Sequence, residues 1–301
     1  MMNDNDSLLP YYVVDVFTNH KFKGNPLAVV FCDKDLKPDE YENIAKEFGY
    51  SETSFVHYSE SEAVLKVRSF TATSHEISGA GHNLLGAIYA AKIRNIQIFN
   101  ENKNDGIVMM KNKPIKIVIH KGKPFNDLEI GVMQSKASIL EKVPINLLSK
   151  VLEISESEIG YHHLDPVVVK TEVAHLMVPV KDRHALAKLL PKKNLLMNLA
   201  DQYKFQGVYC FVLSESYSSP LAQTRFFNPQ IGITEDPATG SAAGPLAGLL
   251  LDKNVIQKQQ QYRILQGLEM GSPSTIKVLA EENDILVSGA TKVTMTGKIH
   301  L

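Results

Sequence analysis

Residues 225–250 read RFFNPQIGITEDPATGSAAGPLAGLL and combine a carboxylate, a glycine-containing turn and an apolar helix within 26 positions. Asp236 and the proline after it are typical of a turn, and the TGS sequence at 239–241 offers backbone N–H groups and a capping hydroxyl. These residues precede a predicted buried helix over 242–250. The start of a helix presents N–H donors and a positive dipole end, so it can hold an anion. Many helices are capped this way without a ligand, so the stretch alone leaves both interpretations open.

Length and composition set the broad class of the protein. The chain has 301 residues, more than the about 100 to 200 of a usual single domain, so two domains are expected. Its 32 basic and 33 acidic residues leave a net charge of −1, which favours neither nucleic acid nor an anionic membrane as a partner. The N-terminus does not look like a signal peptide, and no apolar stretch approaches the length of a membrane span.

The cysteines and histidines indicate the compartment and the absence of a metal. Cys32 and Cys210 are far apart and lack metal-type spacing, which fits a reducing compartment and predicts a cytoplasmic location. The adjacent histidines at 162–163 have no third ligand at a defined spacing, so we expect no metal site.

Two polar residues in the first third of the chain are candidates for a site. Asn25 lies in the GNP turn between strands predicted for 11–17 and 27–31, and it is either a turn former or a polar group directed into a cleft. Glu52 lies between a helix predicted for 37–49 and the next strand, among hydroxyl residues. Such a carboxylate could be a general base, and the alternative is a surface acid beside a turn.

The stretch SGAGHNLLGAIYAAKI at 78–93 repeats the order of small residues, a polar residue and a buried helix. Arg68 precedes Gly81 by 13 positions and Arg225 precedes Gly240 by 15, and each arginine opens an Arg-x-Phe sequence. His82 after the first glycine is a site candidate, or else a capping or packed histidine. Internal similarity predicts a duplicated domain, in which two helix starts would meet over one cleft.

Strands dominate the predicted elements and long helices are few, which indicates an α+β fold rather than a doubly wound parallel sheet. The polar stretch at 121–127 suggests a boundary, giving an N-terminal domain at 1–126 and a C-terminal domain at 127–289. The last strand, from about 290 to 301, is expected to complete the N-terminal domain. Residues 138–153 are predicted to be helical, with Pro144 separating two short helices.

Four ordered motifs, GNPLAVVF at 24–31, SETSFV at 51–56, EISGAGH at 76–82 and GITEDPATGSA at 232–242, resemble the PhzF family of phenazine biosynthesis proteins over nearly the whole chain. The resemblance implies the diaminopimelate epimerase-like fold, in which two similar pseudo-repeat domains each wrap a curved, mostly antiparallel sheet around a central helix. It also implies an active site between the domains, and a homodimer.

The resemblance implies roles for residues at matching positions. In the phenazine enzyme a metal-free and cofactor-free proton shift between carbons isomerises a cyclohexadiene carboxylic acid, so we expect an isomerase acting on a small carboxylate. A glutamate can move a proton between carbons when it is close and partly desolvated, while helix starts hold the substrate carboxylate. The expected catalytic residues are Glu52, as acid and base, with His82 and Asp236. The expected substrate-binding residues are Asn25, Gly81, Gly240 and Ser241.

The chain departs from the family pattern near the expected cleft. Where the family has RWFTP this chain has RSFTA, so that Ser69 and Ala72 replace a tryptophan and a proline. Asn83 replaces the alanine of the family's CGHATL sequence, and Ser272 replaces the arginine of its GRPS turn. These changes predict an acid other than the phenazine precursor as the substrate. An acid-based amino-acid racemase or epimerase and a non-catalytic carboxylate-binding protein remain as alternatives. Because neither cysteine falls in these motifs, racemisation by two thiols is disfavoured.

Overall fold

A computed structural model of the chain describes residues 8–59, 64–79, 81–96, 105–121, 128–161, 163–214 and 220–301. The described residues form an α+β structure made mostly of strands, with six α-helices. The chain divides into two compact units, unit 1 comprising Met1–Val132 with Gly289–Leu301, and unit 2 comprising Met133–Ser288. The domain boundary predicted at 126/127 lies outside the described residues.

Unit 1 is a sheet with one helix on each of its faces. Its strands are β1 (Leu8–Val16), β2 (Asn25–Phe31), β3 (Thr53–Ser59), β4 (Val64–Phe70), β5 (Glu76–Ile77), β6 (Asp105–Met110), β7 (Lys113–Lys121) and the first part of β8 (Leu128–Ser135). Its helices are α1 (Pro38–Phe48) and α2 (His82–Ile93). The pairs β1/β2, β3/β4, β4/β5, β6/β7 and β7/β8 are antiparallel, while β2/β3 and β4/β6 are parallel.

Unit 2 contains a sheet and four helices. Its strands are β9 (Ser138–Lys142), β10 (Val167–Lys170), β11 (Ala174–Pro179), β12 (Gly207–Leu213), β13 (Ala222–Asn228), β14 (Ile233–Asp236), β15 (Gln261–Gln266), β16 (Ser274–Ala280) and the start of β17 (Asp284–His300). Its helices are α3 (Ile145–Leu152), α4 (Arg183–Ala187), α5 (Lys193–Tyr203) and α6 (Gly240–Asp252). The rest of β17 pairs antiparallel with β1 in unit 1.

The two units use the same order of strand pairing. In unit 2 the pairs β10/β11, β12/β13, β13/β14, β15/β16 and β16/β17 are antiparallel, while β11/β12 and β13/β15 are parallel. Taken in chain order, this matches unit 1 pair by pair. In each unit the central strand of the pattern, β4 or β13, leads through a short hairpin to one buried helix, α2 or α6.

Helices α2 and α6 are apolar on all sides, which is the pattern of a helix surrounded by protein. All residues of α2 from His82 to Ala91 are buried, and the helix packs against β1, β2, β3 and β4. Gly86 permits this packing, because a Cβ there would lie 2.5 Å from Leu27. Helix α6 packs against β9, β10, β11 and β16. Each helix therefore fills the inner face of the sheet of its own unit.

The opposite face of each sheet has its own hydrophobic core. In unit 1 the core under α1 is formed around Tyr41, Phe55 and Phe70, and in unit 2 the core under α3, α4 and α5 includes Cys210. The prediction of two helices over 138–153 was wrong for its first part. Residues 138–142 form β9, which pairs with β10, so pairing with a neighbouring strand overrides local preference there. Pro144 lies just before α3.

Candidate functional site

The unit-1 helix start consists of Gly81, His82 and Asn83. The Asn83 side chain caps it, because its Oδ1 accepts from the backbone N–H of Gly81 and of Leu84, both at 2.8 Å, and its Nδ2 donates to the Gly79 carbonyl at 3.1 Å. Such a cap satisfies donors that a helix start otherwise leaves open. Asn83, which departs from the family pattern, therefore stabilises the start of α2.

Ser54 connects two of the departing positions. Its hydroxyl lies 2.8 Å from the Ser69 hydroxyl and 3.1 Å from the backbone carbonyl of Asn83, and all three residues are buried. Ser69 therefore belongs to the interior packing of β3 and β4 against α2.

Ser51 brings predicted site residues of unit 1 together. Its hydroxyl lies 3.3 Å from Oδ1 of Asn25 and 3.4 Å from Nε2 of His82. Asn25 is fully buried, and Glu52, which follows Ser51, is only 8% exposed. A buried asparagine carries its amide into the interior, so the turn role alone does not describe Asn25. Glu52 is likewise not the surface acid of the alternative interpretation. Sequence reasoning noted Ser51 only as a flanking residue and missed its bridging position.

His82 is buried, and burial lowers its pKa to about 3. Its imidazole is therefore neutral at physiological pH. A neutral ring can donate one hydrogen bond and accept another, but it does not supply a fixed positive charge for a carboxylate. The helix dipole remains as a feature of the unit-1 helix start that favours an anion.

The unit-2 helix start consists of Thr239, Gly240 and Ser241. Thr239 occupies the N-cap position, but its hydroxyl donates to Oδ2 of Asp236 at 2.5 Å and makes no capping bond. Thr239 therefore does not supply the capping hydroxyl that was expected within the TGS sequence at 239–241. Helix geometry gives the N–H groups of Gly240 and Ser241 no acceptor inside the helix, so these two groups suit an anion.

Gln266 lies at the end of β15 and is fully buried. Its Nε2 donates to the Asp236 carbonyl at 2.7 Å and to Oγ1 of Thr239 at 3.0 Å, while its Oε1 accepts from the Thr239 N–H at 3.1 Å. One side chain thus holds the turn from Asp236 to the unit-2 helix start. The sequence does not predict this contact, since the two segments are 27 positions apart.

The loop after Gln266 lies against the same turn. Gly267 has a φ of +77°, and a Cβ there would lie 2.4 Å from the Ser272 carbonyl and 2.6 Å from the Pro237 carbonyl. The backbone N–H of Ser272 donates to the Gly267 carbonyl at 2.9 Å. Ser272, another departure from the family pattern, therefore lies near the turn at Pro237 in unit 2.

An arginine–glutamate pair braces the hairpin before each helix start. Arg225 donates through Nε and Nη2 to the two carboxylate oxygens of Glu235, both at 2.8 Å. Arg68 contacts Glu76 in the same two-point manner, at 2.9 and 3.2 Å. Each glutamate precedes the glycine of its helix start by 5 positions. The repeated Arg-x-Phe sequence thus has the same contact in both units.

Gly244 in α6 offers a direct stability test of the packing behind the unit-2 helix start. A Cβ there would lie 2.0 Å from Oε1 of Gln134, whose Nε2 donates to the Gly240 carbonyl at 3.0 Å. We expect Gly244→Ala to lower the free energy of unfolding by about 1–3 kcal/mol in denaturant titrations, because overpacking must displace Gln134. Adding Gln134→Ala should recover part of the loss, and strictly additive effects would contradict the clash.

The acid sensitivity of folding should come partly from His175, which lies in β11 edge-on to Phe226 with ring centroids 5.3 Å apart. Burial lowers its pKa to about 4, and contact with the Gly207 backbone offsets part of that effect. A depressed histidine pKa means that the unfolded chain gains the proton first. The stability is therefore present above pH 6.5 and is lost as the pH falls toward 4.

For His175→Leu we expect the loss of unfolding free energy between about pH 6.5 and pH 5 to be smaller than in the unmodified protein by about 1.5 kcal/mol. The exposed His300 provides the matched control, and His300→Asn should leave the pH dependence unchanged. Equal pH dependence in all three proteins, measured by urea unfolding, would contradict this account.

Unit 1 also contains a cavity, and the chain contains candidate metal ligands that were considered from the sequence. A cavity of about 660 Å³ opens in unit 1 and is lined by side chains that include Asp33, Lys34, His57, Lys66 and Lys111. Within the described parts of the chain, no group of three or more His, Cys, Asp or Glu side chains could hold a metal ion. One member of the adjacent histidine pair, at position 162, lies outside the described residues.

No helix among the described residues is long and apolar enough to cross a membrane.

Comparison with known proteins supplies the family context for this geometry. The profile of the family described as phenazine biosynthesis-like protein (PhzC-PhzF) matches residues 14–299. A trans-2,3-dihydro-3-hydroxyanthranilate isomerase of Pseudomonas fluorescens is 32% identical over 275 residues, covering 90% of each chain. An uncharacterised isomerase of Clostridium acetobutylicum is 30% identical over 307 residues, covering 96% of this chain and 97% of its own length.

Solved structures show the same fold. A PhzF-family phenazine biosynthesis protein of Bacillus anthracis superposes with a TM-score of 0.85 at 22% identity, covering 98% of this chain and all of the other. A hydroxyproline epimerase of Agrobacterium vitis superposes with a TM-score of 0.67 at 10% identity, covering 98% and 93% of the two chains. The architecture described above is therefore shared by PhzF-family proteins and by proline racemase-like proteins.

Proposed function

The chain belongs to the phenazine biosynthesis-like (PhzC-PhzF) family, and on that premise we propose that it is an isomerase that moves a proton between two carbons of a small carboxylic acid without a cofactor. The observation that carries the proposal is the position of Glu52. This carboxylate is buried next to Ser51, which links Asn25 and His82. Relatives of the chain include proteins named isomerases.

Glu52 is the proposed acid and base. To take a proton from carbon and return it to another carbon, a carboxylate must be close to both and shielded from water. Glu52 directly follows Ser51, whose hydroxyl contacts His82, and the His82 imidazole is neutral. We propose that His82 and Asp236 complete the catalytic set by contacting polar groups of the substrate.

The helix starts are the proposed binding groups for the substrate carboxylate. Backbone N–H groups at Gly240 and Ser241 would favour both the bound anion and negative charge that develops during proton transfer, while Gly81, whose own N–H donates to Asn83, would lie against the ligand at the positive end of the α2 dipole. The matching strand order of the two units, with the same arginine–glutamate contact before each helix start, supports two pseudo-repeat domains. Asn25, joined to His82 through Ser51, would orient the ligand in unit 1.

The test is proton exchange at carbon. The purified protein should be incubated in deuterated water with a panel of small cyclic and unsaturated carboxylic acids, and deuterium incorporation followed by NMR and mass spectrometry. We expect incorporation at carbon, accompanied by movement of a double bond, for at least one acid. Binding of carboxylates without any exchange would support a non-catalytic carboxylate-binding protein instead.

An acid-based racemase or epimerase of amino-acid-like substrates is the second candidate, favoured by the fold shared with a hydroxyproline epimerase. Thiol chemistry is not the proposed route, because burial raises the pKa of Cys32 to about 12 and also raises the pKa of Cys210. Chiral chromatography of amino and imino acids after incubation separates the candidates. Inverted stereochemistry without a shifted double bond would favour the epimerase.

We further expect a cytoplasmic homodimer. Sedimentation velocity of the purified protein would test the dimer, and a monomer at micromolar concentration would contradict it.

A further inference from the structure

We propose that Gln266 and Thr239 are positioning residues that hold Asp236 as an ionised hydrogen-bond acceptor, so that Asp236 receives hydrogen bonds and does not supply the transferred proton. The inference deepens the proposed function and rests on it for its catalytic consequence. Its structural part depends only on the contacts among Asp236, Thr239 and Gln266 in unit 2.

The partners of Gln266 fix which end of its carboxamide faces which atom. The Thr239 backbone N–H can only donate, and it lies 3.1 Å from one terminal atom, which must therefore be Oε1. The Asp236 backbone carbonyl can only accept, and it lies 2.7 Å from the other terminal atom, which must be Nε2. A flipped carboxamide would lose both bonds.

This orientation sets the direction of the Thr239 hydroxyl. Nε2 of Gln266 donates to Oγ1 of Thr239 at 3.0 Å, so the oxygen is an acceptor in that contact. The single hydroxyl proton is then directed to Oδ2 of Asp236, at 2.5 Å. A short bond of this kind from a hydroxyl is typical of a charged carboxylate acceptor. The Thr239 hydroxyl therefore holds the side chain of Asp236, and the Gln266 carboxamide holds its backbone carbonyl.

Tyr209 holds the carboxamide from the other side. Its hydroxyl donates to Oε1 of Gln266 at 3.0 Å and lies 3.0 Å from Oγ1 of Thr224. Tyr209, Thr224 and Gln266 are all fully buried. Burial raises the pKa of Tyr209, so its hydroxyl keeps its proton and remains a donor. The chain of donors thus runs in one direction, from Tyr209 through the Gln266 carboxamide and Thr239 to Asp236.

Asp236 and Glu52 then have different tasks. A carboxylate locked as an acceptor can receive hydrogen bonds from substrate hydroxyl or ammonium groups and can stabilise positive charge. It is a poor proton donor near neutral pH, because the bond from the Thr239 hydroxyl to Oδ2 is stronger when the carboxylate is charged and so favours that form. The proton transfer between carbons is thereby left to Glu52.

The experiment compares Thr239→Val, which removes the hydroxyl at nearly constant volume, with Thr239→Ser, which keeps the hydroxyl and loses a methyl group. For any acid that the unmodified protein exchanges in deuterated water, Thr239→Val should lower the exchange rate about 10- to 100-fold, and Thr239→Ser should stay within about threefold. The acid limb of the pH–rate profile should move up by about one pH unit in Thr239→Val only, because the donor that favours the charged carboxylate is gone.

A second measurement does not require a substrate. The carboxyl ¹³C chemical shift of Asp236, followed by NMR, should keep its charged value to a pH about one unit lower in the unmodified protein than in Thr239→Val. Gln266→Met should behave as Thr239→Val does, and melting temperatures should confirm that each variant is folded.

The outcomes separate the positioning of Asp236 from the proposed catalytic function. Matching ¹³C titrations in the unmodified protein and Thr239→Val would overturn the inference, whether or not any acid is exchanged. A titration shift in Thr239→Val with no exchange on any acid would uphold the positioning of Asp236 and reject the proposed function. A rate loss in Thr239→Val that Thr239→Ser fails to recover, without a change in the pH profile, would also overturn the inference.

Discussion

Glu52→Gln is expected to abolish the proton exchange at carbon that defines the proposed activity, with a loss of about 10²- to 10⁴-fold. Glutamine has nearly the same shape and keeps an acceptor oxygen, but it cannot take up and release a proton near neutral pH. Because Glu52 is only 8% exposed, water has limited access to replace the lost base. Carboxylate binding, measured by calorimetry with the same acids, should change far less than the exchange rate.

The matched control for this prediction is Glu47→Gln on the exposed side of α1. This change removes one carboxylate from the same region of unit 1 and should leave the exchange rate within about twofold, since surface substitutions have small effects. Exchange that survives in Glu52→Gln would remove Glu52 from the role of acid and base. Equal losses in both variants would indicate a general effect of charge instead.

The sequence was most informative where local chemistry determines the structure. The small apolar run after Gly81 predicts a buried helix, and α2 runs over His82–Ile93. Gly49 is the last residue of the helix predicted for 37–49, and it adopts the left-handed conformation with a φ of 66° that a glycine C-cap favours. These features depend on neighbours within one or two turns of chain, so a single sequence contains what is needed to predict them.

Contacts between segments far apart in the chain could not be predicted from the sequence. The polar stretch at 138–142 looked helical, yet it forms β9 because β10 is present to pair with it. No local pattern singles out Gln266, and its role appears only when β15 lies beside the Asp236 turn. The Arg-x-Phe similarity indicated a repeat, but the partner glutamates could not be identified from it, since Glu76 follows Arg68 by 8 positions and Glu235 follows Arg225 by 10.

The candidate site, too, could be predicted from the sequence only in part. Family motifs pointed to Glu52, His82 and Asp236, and the structure adds how two of them are held: Ser51 beside His82, and Thr239 with Gln266 around Asp236. The supporting residues lie outside the motifs or were given other roles in them. Their assignment depends on distances and on which atoms can donate, which no spacing in one sequence encodes.

Arg225→Met is expected to be the most destabilising single substitution described here, lowering the free energy of unfolding by about 3–5 kcal/mol. The Arg225 side chain is 9% exposed and that of Glu235 is 16% exposed. Besides its two bonds to Glu235, the guanidinium donates through Nη1 to the carbonyls of Leu186, Ala187 and Leu189, each at 3.0 Å. Methionine fills similar space, but it leaves a carboxylate and three carbonyl groups without their shared donor.

Unit 1 contains the matched control for this change. Arg68→Met removes the corresponding contact to Glu76, where the two side chains are 36% and 25% exposed, so water can solvate the remaining carboxylate. We expect a loss of about 1 kcal/mol or less in the same urea titrations. The double variant Arg225→Met with Glu235→Gln should recover part of the large loss, because no unpaired charge is then buried. Similar losses for Arg68→Met and Arg225→Met would show that burial does not set the strength of these two pairs, and that both hairpins depend on the contact itself.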